Sequence, residues 1–380
     1  MLRYNMPNVA LTIIILLFIG AAQGFLLSFT LVTLKRGNRT ANRILSVLLF
    51  FFSCLIAMHA FGQLQIQAHH KDGEEKYSHT IFFIFGPLIY YYVKSLTSRR
   101  LDLHLRDILH LVPFLIFVLL YYFLGLFSPR LDYFIILNML LPWLMMVQMT
   151  AYLISAQRVL RQYSDAIRNS FSSLEKINLN WLRFLMMCQF IIWPVAFFVE
   201  MVKTDPVQVN TMWLCISVFI YAIGYFGIRQ PEIFTGQMQN DEPASQLEKK
   251  KYEKSSLTPE KSRQYLQRLQ EFMQLEKPHL DRTITLQTLA EKLAFTTHEL
   301  SQLINEQLNK NFFEFINMYR IDEAKAKIKD EQFNHLTIAA IGYESGFNSV
   351  SAFNAAFKKN TGITPSQYRQ NQLSTNPSSS

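Results

Sequence analysis

The chain has 380 residues, of which 50% are hydrophobic, 14% aromatic and only 17% charged, with 37 Lys and Arg against 28 Asp and Glu for a formal net charge of +9. That balance is too apolar and too poor in charge for an ordinary soluble domain throughout. Cys54, Cys188 and Cys215 all lie inside apolar runs, which excludes metal-ligand spacing and a disulfide framework and leaves them as small buried hydrophobes.

The charge is unevenly placed. Residues 1–240 carry 19 Lys and Arg against 11 Asp and Glu, whereas residues 241–380 carry 18 against 17. The basic excess therefore sits in the apolar part, where it reads as membrane topology rather than as a nucleic-acid footprint. A bilayer core needs about 20 mainly apolar residues per helix, and such runs fall near 9–34, 44–64, 80–97, 107–127, 131–157, 182–202 and 209–228. Seven spans are predicted. The first run, with Arg3 ahead of it and Gly20, Ala21 and Ala22 midway, has some marks of a signal peptide. Its apolar residues resume at Phe25 and continue to Leu34, too long for the apolar part of such a signal, so a retained helix is expected.

Lys and Arg near span ends accumulate on the cytoplasmic side. The first loop holds Lys35, Arg36, Arg39 and Arg43, the third Arg99, Arg100 and Arg106, and the fifth Arg158, Arg161, Arg168 and Lys176. The opposite side offers Arg3, Lys71, Lys76, Arg130 and Lys203. This places the N-terminus outside and the C-terminus in the cytoplasm, with the chain multi-pass in the membrane. Polar residues within spans are expensive and mark functional candidates. On this topology His59, Asn138 and Glu200 lie toward outer helix ends, near Tyr77 and His79 in the loop, and form a candidate signal site for an unknown ligand. A headgroup position, which costs little, is the other reading of His59 and Glu200.

After Pro231 the composition changes, and residues 235–257 are polar, charged and without apolar period, as in a flexible linker. As a coil such a linker reaches about 25–30 Å, and about 75 Å when fully extended. Helical patterning resumes at Thr258-Pro259-Glu260-Lys261, an N-cap with a first-turn proline and an acidic first turn. Two similar units follow. In the first, Leu286, Leu289, Ala290 and Leu293 mark a helix face, Thr296 or Thr297 caps the next helix, and Leu300, Leu303, Ile304 and Leu308 mark its buried side. In the second, Ile338 and Ile341 mark a helix, Gly346-Phe347 makes the turn, Asn348 or Ser349 caps, and Phe353, Ala356 and Phe357 are buried. Leu300 and Ile304 match Phe353 and Phe357 at an offset of 53, and Phe312 to Lys329 reads as one continuous helix between the units.

The run FINMYRIDEAK, followed by GFNSVSAFNAAFKKNTGITPSQYR, resembles the AraC/XylS family of bacterial transcription regulators over residues 258–372. The preceding 230 residues do not resemble that family's usual sugar-binding barrel; they look like the multi-span module that some membrane-bound members carry. The resemblance implies two helix-turn-helix units, each placing a recognition helix in successive major grooves of double-stranded DNA about 10 bp apart. On the first recognition helix, His298, Ser301, Gln302 and Asn305 lie opposite the apolar side and are candidates for reading bases. On the second, Ser351 and Asn354 face outward, while Ala355 stands where family members often have arginine, which weakens base reading there. Thr297, Ser349, Lys358, Lys359 and Arg369 are candidate phosphate contacts.

The fold class expected is all-α: a seven-span sensor over 1–234, the linker, a DNA-binding domain over 258–372, and a disordered tail over 373–380. The function expected is a membrane-bound one-component regulator with DNA, the lipid bilayer, a signal ligand and a second copy in a homodimer as partners. No catalytic set, phosphate-binding glycine loop or cofactor motif is found, and no enzyme is expected. The competing class is a membrane receptor or transporter whose helical tail docks a protein.

Overall fold

The structure, a computed structural model, describes residues 6–35, 37–67, 81–98, 101, 104–127, 132–175, 177–202, 206–229 and 258–375. The predicted linker and the tail beyond Thr375 lie outside them. The described residues are helical, without a named strand. They divide into two compact units: Met1–Arg161 with Leu179–Ile233, and Gln162–Asn178 with Phe234–Ser380.

The first unit contains α1 (Met6–Thr33), α2 (Arg39–Gln67), α3 (Phe82–Thr97), α4 (Val112–Phe127), most of α5 (Asp132–Ser170), α6 (Asn180–Val202) and α7 (Pro206–Arg229). A helix thus falls on each predicted apolar run. Among the described residues only Leu11–Thr33 and Arg39–Gln65 are both long and apolar enough to cross a bilayer, with Met212–Ile228 a shorter apolar stretch. That is two helices where seven were expected; α3 and α4, at 16 residues each, fall short of the about 20 that a bilayer core requires.

Small side chains let α1 and α2 run close together. Ser28 and Ser46 each donate a hydroxyl hydrogen bond to the other's carbonyl at 2.8 Å, which suits helix pairs that lack water to satisfy polar groups. Tyr221 of α7 donates to the Gly20 carbonyl of α1, and Phe52 of α2 stacks on Phe85 of α3 with ring centroids 3.8 Å apart. The outward faces stay apolar: Leu26 is 62% and Phe29 69% exposed. The cavity lined by Phe52, Phe82, Trp193, Trp213 and Phe219 measures about 30 Å³, room for about one water molecule.

The second unit holds the carboxy-terminal helices α8 (Pro259–Leu275), α9 (Leu286–Leu293), α10 (Thr297–Leu308), α11 (Phe312–Lys329), α12 (Ile338–Glu344), α13 (Val350–Thr361) and α14 (Pro365–Thr375). Two cores share α11. Its first half, through Phe312, Phe315 and Ile316, joins Leu269, Met273, Leu289, Leu300 and Ile304. Its second half, through Ile321, Ala324 and Ile328, joins Ile341, Phe347, Phe353 and Phe357. The four residues matched at an offset of 53 are all fully buried, so the internal repeat is a repeat of core positions.

Candidate nucleic-acid interface

Each helix pair in the head is held by its caps. Thr258 accepts from the Lys261 N–H with Pro259 at the first helical position. At α10 the cap is Thr296, whose hydroxyl oxygen accepts from the Glu299 N–H at 3.1 Å while the Glu299 carboxylate accepts from the Thr296 N–H at 3.0 Å, a reciprocal pairing that satisfies two orphan donors. Thr297 is the first helical residue rather than the cap. Ser349 caps α13 by accepting from Ala352 N–H at 3.2 Å.

The two turns differ. After α9 the chain turns through Ala294 with φ 53°, a left-handed conformation that alanine adopts at a cost. After α12 it turns through Gly346 with φ 90°, where an added Cβ would stand 3.1 Å from Leu280 Cα and closer still to the His279 carbonyl oxygen. Glycine is required there for space as well as for φ.

Arg320 is the residue around which the head closes. It is 1% exposed, with Nε donating to the His279 carbonyl at 2.8 Å, Nη2 to the Asp281 carbonyl at 2.9 Å and to Ser172 Oγ at 3.2 Å, and Nη1 to the Ser172 carbonyl at 3.0 Å. Burial lowers its pKa to about 10, still protonated at neutral pH. Beside it His279 is pushed down to about 4 by burial, against the pull of Glu323. Sequence pattern missed both: an arginine within FINMYRIDEAK reads as a surface residue until the carbonyls that need its donors are seen.

On α10 the predicted reading face is less open than expected. Ser301 is 4% and Gln302 5% exposed, and His298 and Asn305 are half-buried. The polar groups are engaged along their own helix: Gln302 Nε2 donates to both Glu306 carboxylate oxygens at 3.1 Å, and Asn305 Nδ2 donates to Ser301 Oγ at 3.3 Å. Pairs four residues apart face each other on a helix, so the amide donors of Gln302 and Asn305 are engaged within α10. On α13, by contrast, Ser351, Asn354 and Ala355 are exposed as read. Lys358 is exposed, and Lys359 reaches the Glu314 carboxylate at 2.9 Å while 76% of its side chain stays accessible. Arg369, a candidate phosphate contact, is partly buried and donates Nη1 to the Leu336 carbonyl at 2.9 Å, which ties α14 to the loop before α12. Ser349 keeps its cap and donates its hydroxyl to the Glu175 carboxylate.

Of the candidate signal site, His59 alone has a described side chain. His59 is 4% exposed, with Nε2 at 2.9 Å from Asn210 Oδ1 and its ring stacked on Trp213. It is a packed polar pair between α2 and α7, and Asn210 had no signal in the sequence beyond being an amide in an apolar run. The side chains of Asn138 and Glu200, and the loop residues Tyr77 and His79, lie outside the described residues. Among the described residues no group of three or more His, Cys, Asp or Glu converges as metal ligands would.

Residues 289–371 match a protein family described as "Helix-turn-helix domain"; the C-terminal domain is a helix-turn-helix domain. Similar proteins include uncharacterized HTH-type transcriptional regulators of Staphylococcus aureus strains COL and MSSA476, each 34% identical over 91 residues, 24% of this chain and 12% of theirs. The chain thus spans about an eighth of the length of these relatives. A solved structure of a protein of unknown function from Listeria innocua is 25% identical over 28% of this chain and 94% of its own, with a TM-score of 0.24.

Proposed function

We propose that the chain is a membrane-held transcription regulator of the AraC/XylS type, coupling an extracytoplasmic or intramembrane signal to sequence-specific binding of double-stranded DNA by its cytoplasmic head. The observation that carries this reading is the pair of capped two-helix units, α9–α10 and α12–α13, built on the two halves of one helix, α11. A spacing fixed by one helix is what two recognition helices need to enter neighbouring major grooves on one face of a duplex. Ser351 and Asn354 read base edges from α13, with Lys358 and Lys359 on phosphates; His298 and Asn305 read from α10, and Ser301 and Gln302 join them once freed.

The membrane part of the proposal rests on the two long apolar helices, the exposed apolar faces and the asymmetry of Lys and Arg between loops. Seven spans carry the chain from an outer N-terminus to a cytoplasmic head, and an odd count of spans agrees with that end point. A signal changes helix packing, or pairing with a second copy, and so changes the grip on DNA. The test is anisotropy of the purified segment 258–375 with duplex DNA across a salt series. A DNA reader loses affinity steeply as salt rises, because phosphate contacts release counterions; a protein-docking tail binds no duplex at any salt.

A further inference from the structure

Residues Gln162–Asn178 belong to the same compact unit as the head. They begin as the end of α5 and continue as a closed loop: Tyr163 donates its hydroxyl to the Ile177 carbonyl at 2.8 Å, and the Ile177 and Asn178 N–H groups donate to the Leu174 carbonyl at 3.2 and 2.9 Å. The loop meets the head at three places. Phe171 pairs antiparallel with Thr285, which caps α9. Ser172, 2% exposed, accepts two hydrogen bonds from the Arg320 guanidinium through its carbonyl and hydroxyl oxygens. Glu175 accepts the hydroxyl of Ser349, which caps α13. One short segment therefore touches the first helix-turn-helix unit, the connecting helix and the second recognition helix.

These contacts differ in kind. The Ser172 contact is buried and uses the charge of an arginine whose other donors hold the head's own carbonyls, so it anchors. The Glu175 contact is an exposed carboxylate placed at a helix N-terminus, where negative charge is favoured. A DNA phosphate is favoured at the same place for the same reason. Carboxylate and phosphate cannot share one serine hydroxyl without like-charge repulsion.

We propose that residues 162–178 form an autoinhibitory strap: while Glu175 holds Ser349, the second recognition helix is closed to the duplex backbone, and release of the strap opens it. The inference rests on the DNA-reading function proposed above. Because the strap continues directly from α5, movement of that helix end reaches the recognition helix through one covalent segment, with no separate messenger domain.

The test uses the full-length chain in phospholipid nanodiscs with a random-sequence duplex pool, read by anisotropy at low salt. Glu175→Gln keeps the shape of the side chain and removes its charge; relief of like-charge repulsion predicts duplex binding about tenfold tighter than in the unaltered chain. A second variant pairs Phe171→Cys with Thr285→Cys, with serine at positions 54, 188 and 215. Directly opposed residues of an antiparallel pair are close enough for a disulfide. Oxidation locks the strap and should weaken binding about tenfold, and reduction of the same sample should restore it. Equal affinity in the oxidised and reduced forms, or no gain from Glu175→Gln, overturns the strap while leaving DNA reading intact. Absence of duplex binding by every form refutes the DNA-reading function itself.

Discussion

Replacing Gly346 by alanine should unfold the head's second half preferentially, and the size of the effect follows from what surrounds the turn. At φ 90° an L side chain carries left-handed strain of about 1–2 kcal/mol. The new methyl would also meet backbone that cannot swing away, Leu280 Cα at 3.1 Å and the His279 carbonyl oxygen closer still, and would stand 3.0 Å from Arg320 Nε. It therefore intrudes on the bond from Arg320 to the His279 carbonyl, a charged hydrogen bond worth about 1.5–3 kcal/mol. Together these give a loss of about 2.5–5 kcal/mol, a large share of the about 5–15 kcal/mol typical of a whole domain. The assay is urea unfolding of the segment 258–375, with Ala294→Gly as the companion. At Ala294, φ 53°, glycine relieves the strain but adds unfolded-chain entropy, so the net change should lie within about 1 kcal/mol. A Gly346→Ala loss below about 1 kcal/mol, or one no larger than that of Ala294→Gly, would refute the reasoning.

The buried His279 makes the same segment sensitive to acid. Its pKa falls from 6.5 in the unfolded chain to about 4 in the fold, so between those values the unfolded state binds the proton. Stability should be constant above pH 6.5 and decline as pH drops toward 4, by about 3 kcal/mol in all; a His279→Phe segment that keeps the full decline would assign it elsewhere. On the proposed DNA surface, Asn354→Ala should cost about 1–3 kcal/mol at one base position, whereas Lys359→Ala should weaken all sequences alike and flatten the salt slope by about one. Arg369→Ala should instead lower the unfolding midpoint and leave the salt slope unchanged, since its guanidinium holds the Leu336 carbonyl; a flattened slope would return it to the phosphates. Reporter fusions after Arg43, Arg106 and Arg168 should report cytoplasm and those after Lys71 and Arg130 the exterior, and a reversed pair would break the proposed topology.

Local chemistry was legible in the sequence wherever the deciding contacts are local. The central helix runs from Phe312 to Lys329 as read, because the Asn311 side chain accepts from the Glu314 N–H and no breaker interrupts it. Thr258 with Pro259 marked α8 for the same reason, and the buried positions of both units followed from their spacing. What escaped depends on partners far along the chain. Arg320 is held by carbonyls 39–148 positions away, Arg369 by one 33 positions away, and His59 by an amide 151 positions away. Ser301 and Gln302 escaped differently: a helical wheel places a residue on a face but does not show that its polar atoms close on neighbours four residues on. A helix falls on each predicted apolar run, but a run does not set the length of its helix: α3 and α4 have 16 residues each, and among the described residues two helices are long and apolar enough to cross a bilayer.

The account's central claim is that one chain holds DNA while anchored in a membrane, and crosslinking in intact cells followed by membrane isolation tests it most directly. DNA recovered with the full-length chain from the membrane fraction should concentrate at discrete sites, each with two half-elements about 10 bp apart, and should vanish when the chain is truncated after residue 257. Recovery of the same DNA with the truncated chain, or no enrichment with either, would contradict the claim.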